Sequence, residues 1–141
     1  MNVKNELICL LIIAILTACV PNVAIAQTSR QVTNVRTFQQ PTILTFTAPS
    51  QATAGVWYDT TVHLTTVGGI GIPNAQINFE ERLSPNDRWI ALPDSATTDS
   101  QGYVYEMLKS PISGEIHDRV TYAGDGNYAP AVSDEVITMI N

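Results

Sequence analysis

Asp125-Gly126-Asn127, taken with Asp99 and Glu115, offers the carboxylate and amide oxygens that a calcium ion gathers. The segment lacks an Asp-x-Asp-x-Asp run, so the stronger reading is a turn in which Asp125 and Asn127 bond their own backbone. His63 and His117 have no carboxylate pattern near them and read as surface residues. Trp57, Tyr58 and Trp89 carry flat ring faces of the kind that bind sugars. Trp57 and Tyr58 are consecutive, so a strand would aim them at opposite faces and expose at most one. Core packing is the leading expectation for Trp57 and core or half-core packing for Trp89, and a sugar platform is second. No nucleophile elbow, zinc spacing or phosphate loop occurs. Nothing favours a Ser–His–Asp arrangement, and the expectation is a non-enzyme with no metal and no cofactor.

These residues must be positioned by strands. No helical periodicity is present beyond residue 40. Short β-type runs recur instead, at Thr42–Ala48, Val56–Thr66, Ala75–Arg82, Trp89–Leu92, Gly102–Lys109, Ile116–Ala123 and Val132–Ile140. Turn residues separate them, most clearly in Tyr122-Ala123-Gly124-Asp125-Gly126-Asn127-Tyr128. Dense Gly, Asn and Asp between β-branched runs mark a hairpin loop, because these residues tolerate positive φ or bond their own backbone. Ile77 and Phe79 alternate with Gln76, Asn78 and Glu80, while Val62 and Leu64 alternate with Thr61, His63 and Thr65. Each alternation buries one face. About seven short strands in roughly 100 residues predict an all-β Greek-key sandwich.

The 141-residue chain opens on Lys4 and the apolar run Leu7–Leu16. That run is about 10 residues, half of what a membrane-spanning helix needs, and it fits an export signal. Ala24-Ile25-Ala26 is a cleavage site, which makes residues 1–26 the signal. Leu16-Thr17-Ala18-Cys19 is an alternative, a lipoprotein box that would lipidate Cys19 and give the only link to a membrane. Residues 27–40 are polar and read as a tether or loose first strand, with the domain at 41–141. Without Lys4 and Glu6, six basic and twelve acidic residues remain. This excludes the basic footprint that nucleic acid requires. Cys9 and Cys19 both precede the domain, so its core forms without a disulfide.

The order of these signals resembles the immunoglobulin-like repeats of bacterial and archaeal adhesins, invasins and surface-layer proteins. The residues that carry the resemblance are Thr53-Ala54-Gly55, Gly71-Ile72-Pro73-Asn74-Ala75-Gln76-Ile77-Asn78-Phe79, Trp89 with Leu92, Ala96-Thr97-Thr98-Asp99-Ser100-Gln101-Gly102, and Tyr122 to Pro130. It implies an immunoglobulin-like sandwich, in which Gly102 closes a turn at positive φ and Tyr122 and Tyr128 anchor the core. It also implies that the positions of Glu106 and Asp118 face inward, where the pattern has hydrocarbon. An unpaired buried carboxylate is costly. A bulge would turn Tyr103, Tyr105 and Met107 inward and Glu106 outward, and this is the leading expectation. The second is pairing with Arg82, Arg88, Arg119 or His117. The third is a functional carboxylate pair.

The function expected from this reading is binding, adhesion or spacing at the exterior of the cell envelope, without catalysis. The partner would be an envelope protein or a glycan, and self-association through a strand edge is a further option. Trp57, Trp89, Asp125 and Asn127 are the candidate contacts. A carbohydrate-binding module using exposed aromatics is the alternative, and a small hydrolase or metal-dependent enzyme built on Glu106 and Asp118 is the third reading.

Overall fold

The computed structural model of the chain describes residues 38–141; the expected export signal, Cys19 and most of the polar segment 27–40 lie outside them. Nine strands form in chain order: β1 Thr42–Thr47, β2 Gln51–Ala52, β3 Tyr58–Thr66, β4 Gln76–Arg82, β5 Ile90–Thr97, β6 Tyr103–Leu108, β7 Gly114–Tyr122, β8 Ala131–Val132 and β9 Val136–Ile140. One sheet has the order β1-β3-β6, the other β2-β9-β7-β4-β5, with β8 against β7. The chain crosses between sheets after β1, β2, β3, β5 and β6. This is the connectivity of an immunoglobulin-like Greek-key sandwich.

Period-two alternation fills the space between the sheets. Leu44 and Phe46 from β1, Val62 and Leu64 from β3, and Val104 from β6 meet Ile77 and Phe79 from β4 and Val120 and Tyr122 from β7. The Phe46 and Phe79 rings cross edge to face at 6.1 Å. This geometry aligns ring edge with ring face and adds to burial.

The largest differences from the sequence reading are three. β5 runs to Thr97 rather than ending at Leu92, because Gln76, Ile77 and Asn78 continue the ladder opposite Thr97, Ala96 and Ser95. The final run divides into β8 and β9, because Ser133 leaves the regular pattern. Its hydroxyl accepts from Val120 N–H and donates to Asp134 C=O. Gln51-Ala52, which fall between two of the expected runs, pair in parallel with Met139-Ile140.

One buried hydroxyl ties the β3–β4 crossover to the β5–β6 turn. Thr98 Oγ1 accepts from Ala75 N–H at 2.8 Å and donates to Ile72 C=O at 2.8 Å. Thr98→Val keeps the shape but leaves a buried donor and acceptor without this partner, at an expected cost of about 2–3 kcal/mol in urea unfolding. A loss below about 0.5 kcal/mol would contradict this role.

Candidate functional site

The two sandwich sides differ in how their strand edges are finished. On one side the β1 edge is flanked by the loop after β7, where Gln40 bridges Tyr128 and Thr42 Oγ1 donates to Ala129 C=O. The β2 edge is two residues long. On the other side lie the edges of β5 and β6. Along β5, Pro93 lacks an N–H, Asp94 adds charge, and the register shifts between Asn78 and Glu80 opposite it. These devices discourage pairing.

β6 has no such protection at its centre. Leu64 N–H donates to Gly102 C=O at 2.9 Å, which fixes the phase of the antiparallel ladder. Val104, Glu106 and Leu108 therefore direct their backbone groups to β3, and Tyr103, Tyr105 and Met107 direct theirs away. Asp99 satisfies Tyr103: its carboxylate accepts the Tyr103 N–H at 2.9 Å, and its own N–H donates to Tyr103 C=O at 2.8 Å. Tyr105 and Met107 have no backbone partner outside the β3 ladder among the described residues.

Between β5 and β6 lies a cleft of about 190 Å³. Phe79 and Leu108 reach it from the core side, Leu92, Pro93 and Asp94 line it from β5, and Glu106 and Met107 line it from β6. Trp57 and Lys109 complete the lining, with the Lys109 ammonium 4.8 Å from the Trp57 ring centroid. On the outer face of the β1-β3-β6 sheet, the His63 ring stacks on Tyr103 at 3.8 Å and Tyr103 on Tyr105 at 5.8 Å. A stepped row of rings thus leads to the cleft rim.

This geometry corrects two expectations. Trp57 does not pack in the core. It is 56 % exposed, while its neighbour Tyr58 points inward. Trp89 is also outside the core: the guanidinium groups of Arg82 and Arg119 lie 4.5 and 4.2 Å from its ring centroid. These two cation–π contacts hold the ring on the outer surface of the larger sheet. Arg82 pairs with Glu135 at 2.7 Å and Arg119 with Glu80 at 2.6 Å, so ion pairs brace that stack.

The bulge expected in β6 does not form. Register with β3 is continuous from Tyr103 to Leu108, leaving Tyr105 71 % and Met107 49 % exposed. Glu106 consequently stays on the inward face and reaches the cleft. Asp118 is almost fully buried, and no arginine or histidine among the described residues pairs with it. Alternation along β7 sends His117 and Arg119 to the opposite face. There His117 is buried, not at the surface as its sequence context suggested, and its Nδ1 meets the Glu135 carboxylate.

Asp118 instead lies directly across from Glu81 in the β4–β7 ladder, at the Tyr58 end of the sandwich. Burial, reinforced by the Glu81 charge, pushes the Asp118 carboxyl up to about 7. Burial likewise raises Glu81, and the Tyr58 hydroxyl rises through burial and then the charges of Asp118 and Glu81. One Asp118 oxygen has no hydrogen-bond partner among the described residues. Glu106 lines the cleft and Asp118 does not, so the two carboxylates do not converge on a common reaction site. Glu81 was missed in the sequence, although it is in phase with the inward Ile77 and Phe79.

Asp125 and Asn127 form a turn. Asp125 Oδ1 accepts from the N–H groups of Asn127 at 2.7 Å and Tyr128 at 2.8 Å, and these bonds hold its carboxyl below the usual range. Asp99 Oδ1 similarly accepts from Gln101 N–H. Glu115 stands near the start of β7 whereas Asp125 follows its end, with nine strand residues separating the two turns. No group of three His, Cys, Asp or Glu side chains among the described residues is arranged to hold a metal ion.

No family model matches the chain, and no curated protein matches it. Solved structures share its architecture. The CARDB domain of a Pyrococcus furiosus protein, crystallised in complex with di-metal ions, is 11 % identical with a TM-score of 0.50. That alignment covers 74 % of this chain and 90 % of the CARDB chain. A superoxide reductase (neelaredoxin) from Ignicoccus hospitalis is 10 % identical over 70 % of this chain and 80 % of its own, with a TM-score of 0.48. The PKD domain of an M14-like peptidase from a Thermoplasmatales archaeon is 17 % identical over 72 % and 94 %, with a TM-score of 0.41. The likeness to the CARDB domain supports an immunoglobulin-like fold without assigning the chain to a particular repeat family.

Proposed function

We propose that this immunoglobulin-like domain is a non-catalytic binding module of the cell envelope, which engages its partner through the open β5–β6 side. The observation that carries the reading is the clustering of Trp57, Tyr105 and Met107 around a shallow depression that shares Trp57, Glu106 and Met107 with the β5–β6 cleft, the three side chains being exposed by 56, 71 and 49 % respectively. Apolar residues exposed singly need no explanation, but a contiguous group beside a groove marks an interaction surface. Aromatic rings and methionine within a charged rim are also the composition of interface centres. Here the rim is Asp94, Glu106 and Lys109. Adhesion, export and the envelope location belong to this proposal, as does cleavage after Ala26 or lipidation at Cys19.

Binding to isolated envelope fragments of the producing cell tests the reading. Trp57→Ala and Tyr105→Ala are each expected to weaken it at least ten-fold, whereas Ile70→Ala, at an exposed loop residue, leaves it unchanged. Unaltered binding by the double variant Trp57→Ala/Tyr105→Ala would remove the reading. A second reading, glycan binding, is favoured by the accessible Trp57 ring beside the Asp94 and Glu106 carboxylates. On a glycan array it predicts signal that disappears in Trp57→Ala, and an array silent for the unaltered chain would reject it.

A further inference from the structure

We propose that the β6 edge accepts, as an added antiparallel strand, residues Thr28–Thr37 of a second copy of this chain. The inference rests on reading the open side as the binding surface, and it names the occupant. Tyr105 and Met107 present two N–H donors and two C=O acceptors in line, the backbone ladder that strand addition uses. The neighbouring β5 edge is closed to such pairing by Pro93 and its irregular register. The β6 edge therefore invites a strand while its neighbour refuses one.

Charge selects the strand. Residues 38–141 hold twelve carboxylates against four cations. Three of those carboxylates adjoin the free edge: Glu106 in the cleft, Asp94 across it, and Asp59 opposite Met107 in the β3–β6 register. Residues 27–37 carry Arg30 and Arg36 and no acidic residue. This segment contains neither Gly nor Pro, and it supplies the β-formers Thr28, Val32, Thr33, Val35 and Thr37. Attraction between an acidic edge and a basic strand sets partner and orientation even where it adds little affinity.

The donor comes from another copy because of where residues 39 and 40 are held. Gln39 Nε2 donates to Asp125 C=O, Gln40 N–H to Asn127 C=O, and Ala129 N–H to Gln40 C=O. Those contacts fasten the chain beside β1, at the edge of its sheet opposite β6. Pairing with β6 of the same copy would require the segment to cross from the β1 edge of the sheet to its opposite edge, whereas β6 of a second copy imposes no such crossing. Repetition of this head-to-tail contact would extend an assembly unless the rotation closes a ring.

The test is sedimentation of the full chain in density-matched nonionic detergent over a hundred-fold concentration range. The unaltered chain is expected to associate. Arg30→Glu/Arg36→Glu, outside the folded domain, should raise the dissociation constant at least ten-fold. Met107→Pro, which removes an outward N–H, should do the same. A synthetic Thr28–Thr37 peptide should dissolve the assemblies and slow hydrogen exchange at the Tyr105 and Met107 amides. Every variant keeps Leu7–Leu16, so association driven by that apolar run would not respond to the substitutions.

If Met107→Pro fails to fold, the double arginine variant and the peptide still decide the matter. A chain that stays monomeric throughout would overturn the proposal, including one whose two amides are already protected by its own segment. So would assemblies indifferent to both the arginine changes and the peptide. In either case, loss of envelope binding in Trp57→Ala would leave the broader reading of the open side standing.

Discussion

Replacing Asp118 by asparagine is expected to stabilise the protein above pH 7 and to leave it nearly unchanged near pH 4. Asp118 sits across β4–β7 from Glu81 with one oxygen lacking a partner, and its carboxyl is pushed up to about 7. Its ordinary value is 3.8, so between about pH 4 and pH 7 the folded state holds a proton that the unfolded chain has released. Stability therefore falls as pH rises through this window, and the contribution is fully present only below the unfolded value. A shift of this size corresponds to roughly 4 kcal/mol at most. Glu81 is raised by burial and acts in the same direction. Glu135, lowered by its bond to Arg82 and then by His117, acts in the opposite direction at lower pH.

Urea unfolding from pH 4 to pH 8.5 should show the slope directly. Asp118→Asn should flatten most of it and raise stability by about 2–4 kcal/mol at pH 8. A decrease in stability at pH 8 would show that the ionised carboxylate is held by favourable contacts. The proposed binding surface does not use Asp118, so the substitution should also leave envelope binding intact.

The second large effect is expected at Gly71 and Gly102, where three backbone segments meet. A Cβ on Gly71 would stand 1.9 Å from Gln101 O, and one on Gly102 would stand 2.3 Å from Leu64 O. Gly102 also has φ +83°, a left-handed conformation that side chains strain. The contacts are with backbone that is itself bonded, through Leu64 N–H to Gly102 C=O and Ile72 N–H to Leu64 C=O, so no side chain can yield.

Either alanine substitution is expected to cost on the order of 3–5 kcal/mol, enough to unfold a domain of this size at physiological temperature. Gly55→Ala provides the contrast. Its φ is +76°, but nothing lies within 4 Å of the added carbon, so the expected loss is about 1 kcal/mol. Equal losses at Gly55 and Gly102, measured by thermal unfolding, would show that backbone conformation and not crowding governs the site.

The sandwich was legible because its strands alternate with little interruption. Ile77 and Phe79, or Val62 and Leu64, assign a face without any knowledge of partners. Asp125 and Asp99 were legible as turn residues for a similar reason, since their bonds reach only a few positions along the chain. Cross-strand register is not local, and the incorrect expectations arose there. The bulge was invoked to relieve Glu106, but β6 instead keeps its phase and gives Glu106 an outlet into the cleft. The partner of Asp118 comes from β4, so its neighbour is Glu81 and not a nearby cation.

Tryptophan placement depended on long-range geometry too. Trp57 immediately precedes β3, where Tyr58 takes the inward direction, so its own ring faces solvent. Trp89 is retained on the outer face by Arg82 and Arg119, which converge only after the larger sheet has formed. The unblunted edge at Tyr105 and Met107 became visible for the same reason. It depends on which strand ends the sheet, a property of topology that hydrophobic periodicity does not encode.

Hydroxyl-radical footprinting, with and without isolated envelope fragments, tests the central claim most directly. Trp57, Tyr105 and Met107 are reactive side chains exposed on the proposed surface, while Tyr128 and Trp89 are partly exposed away from it. Binding through the β5–β6 side predicts strong protection of the first three and unchanged oxidation of the other two. Protection of Trp89 or Tyr128 with continued oxidation of Trp57, Tyr105 and Met107 would place the binding surface elsewhere and contradict the account.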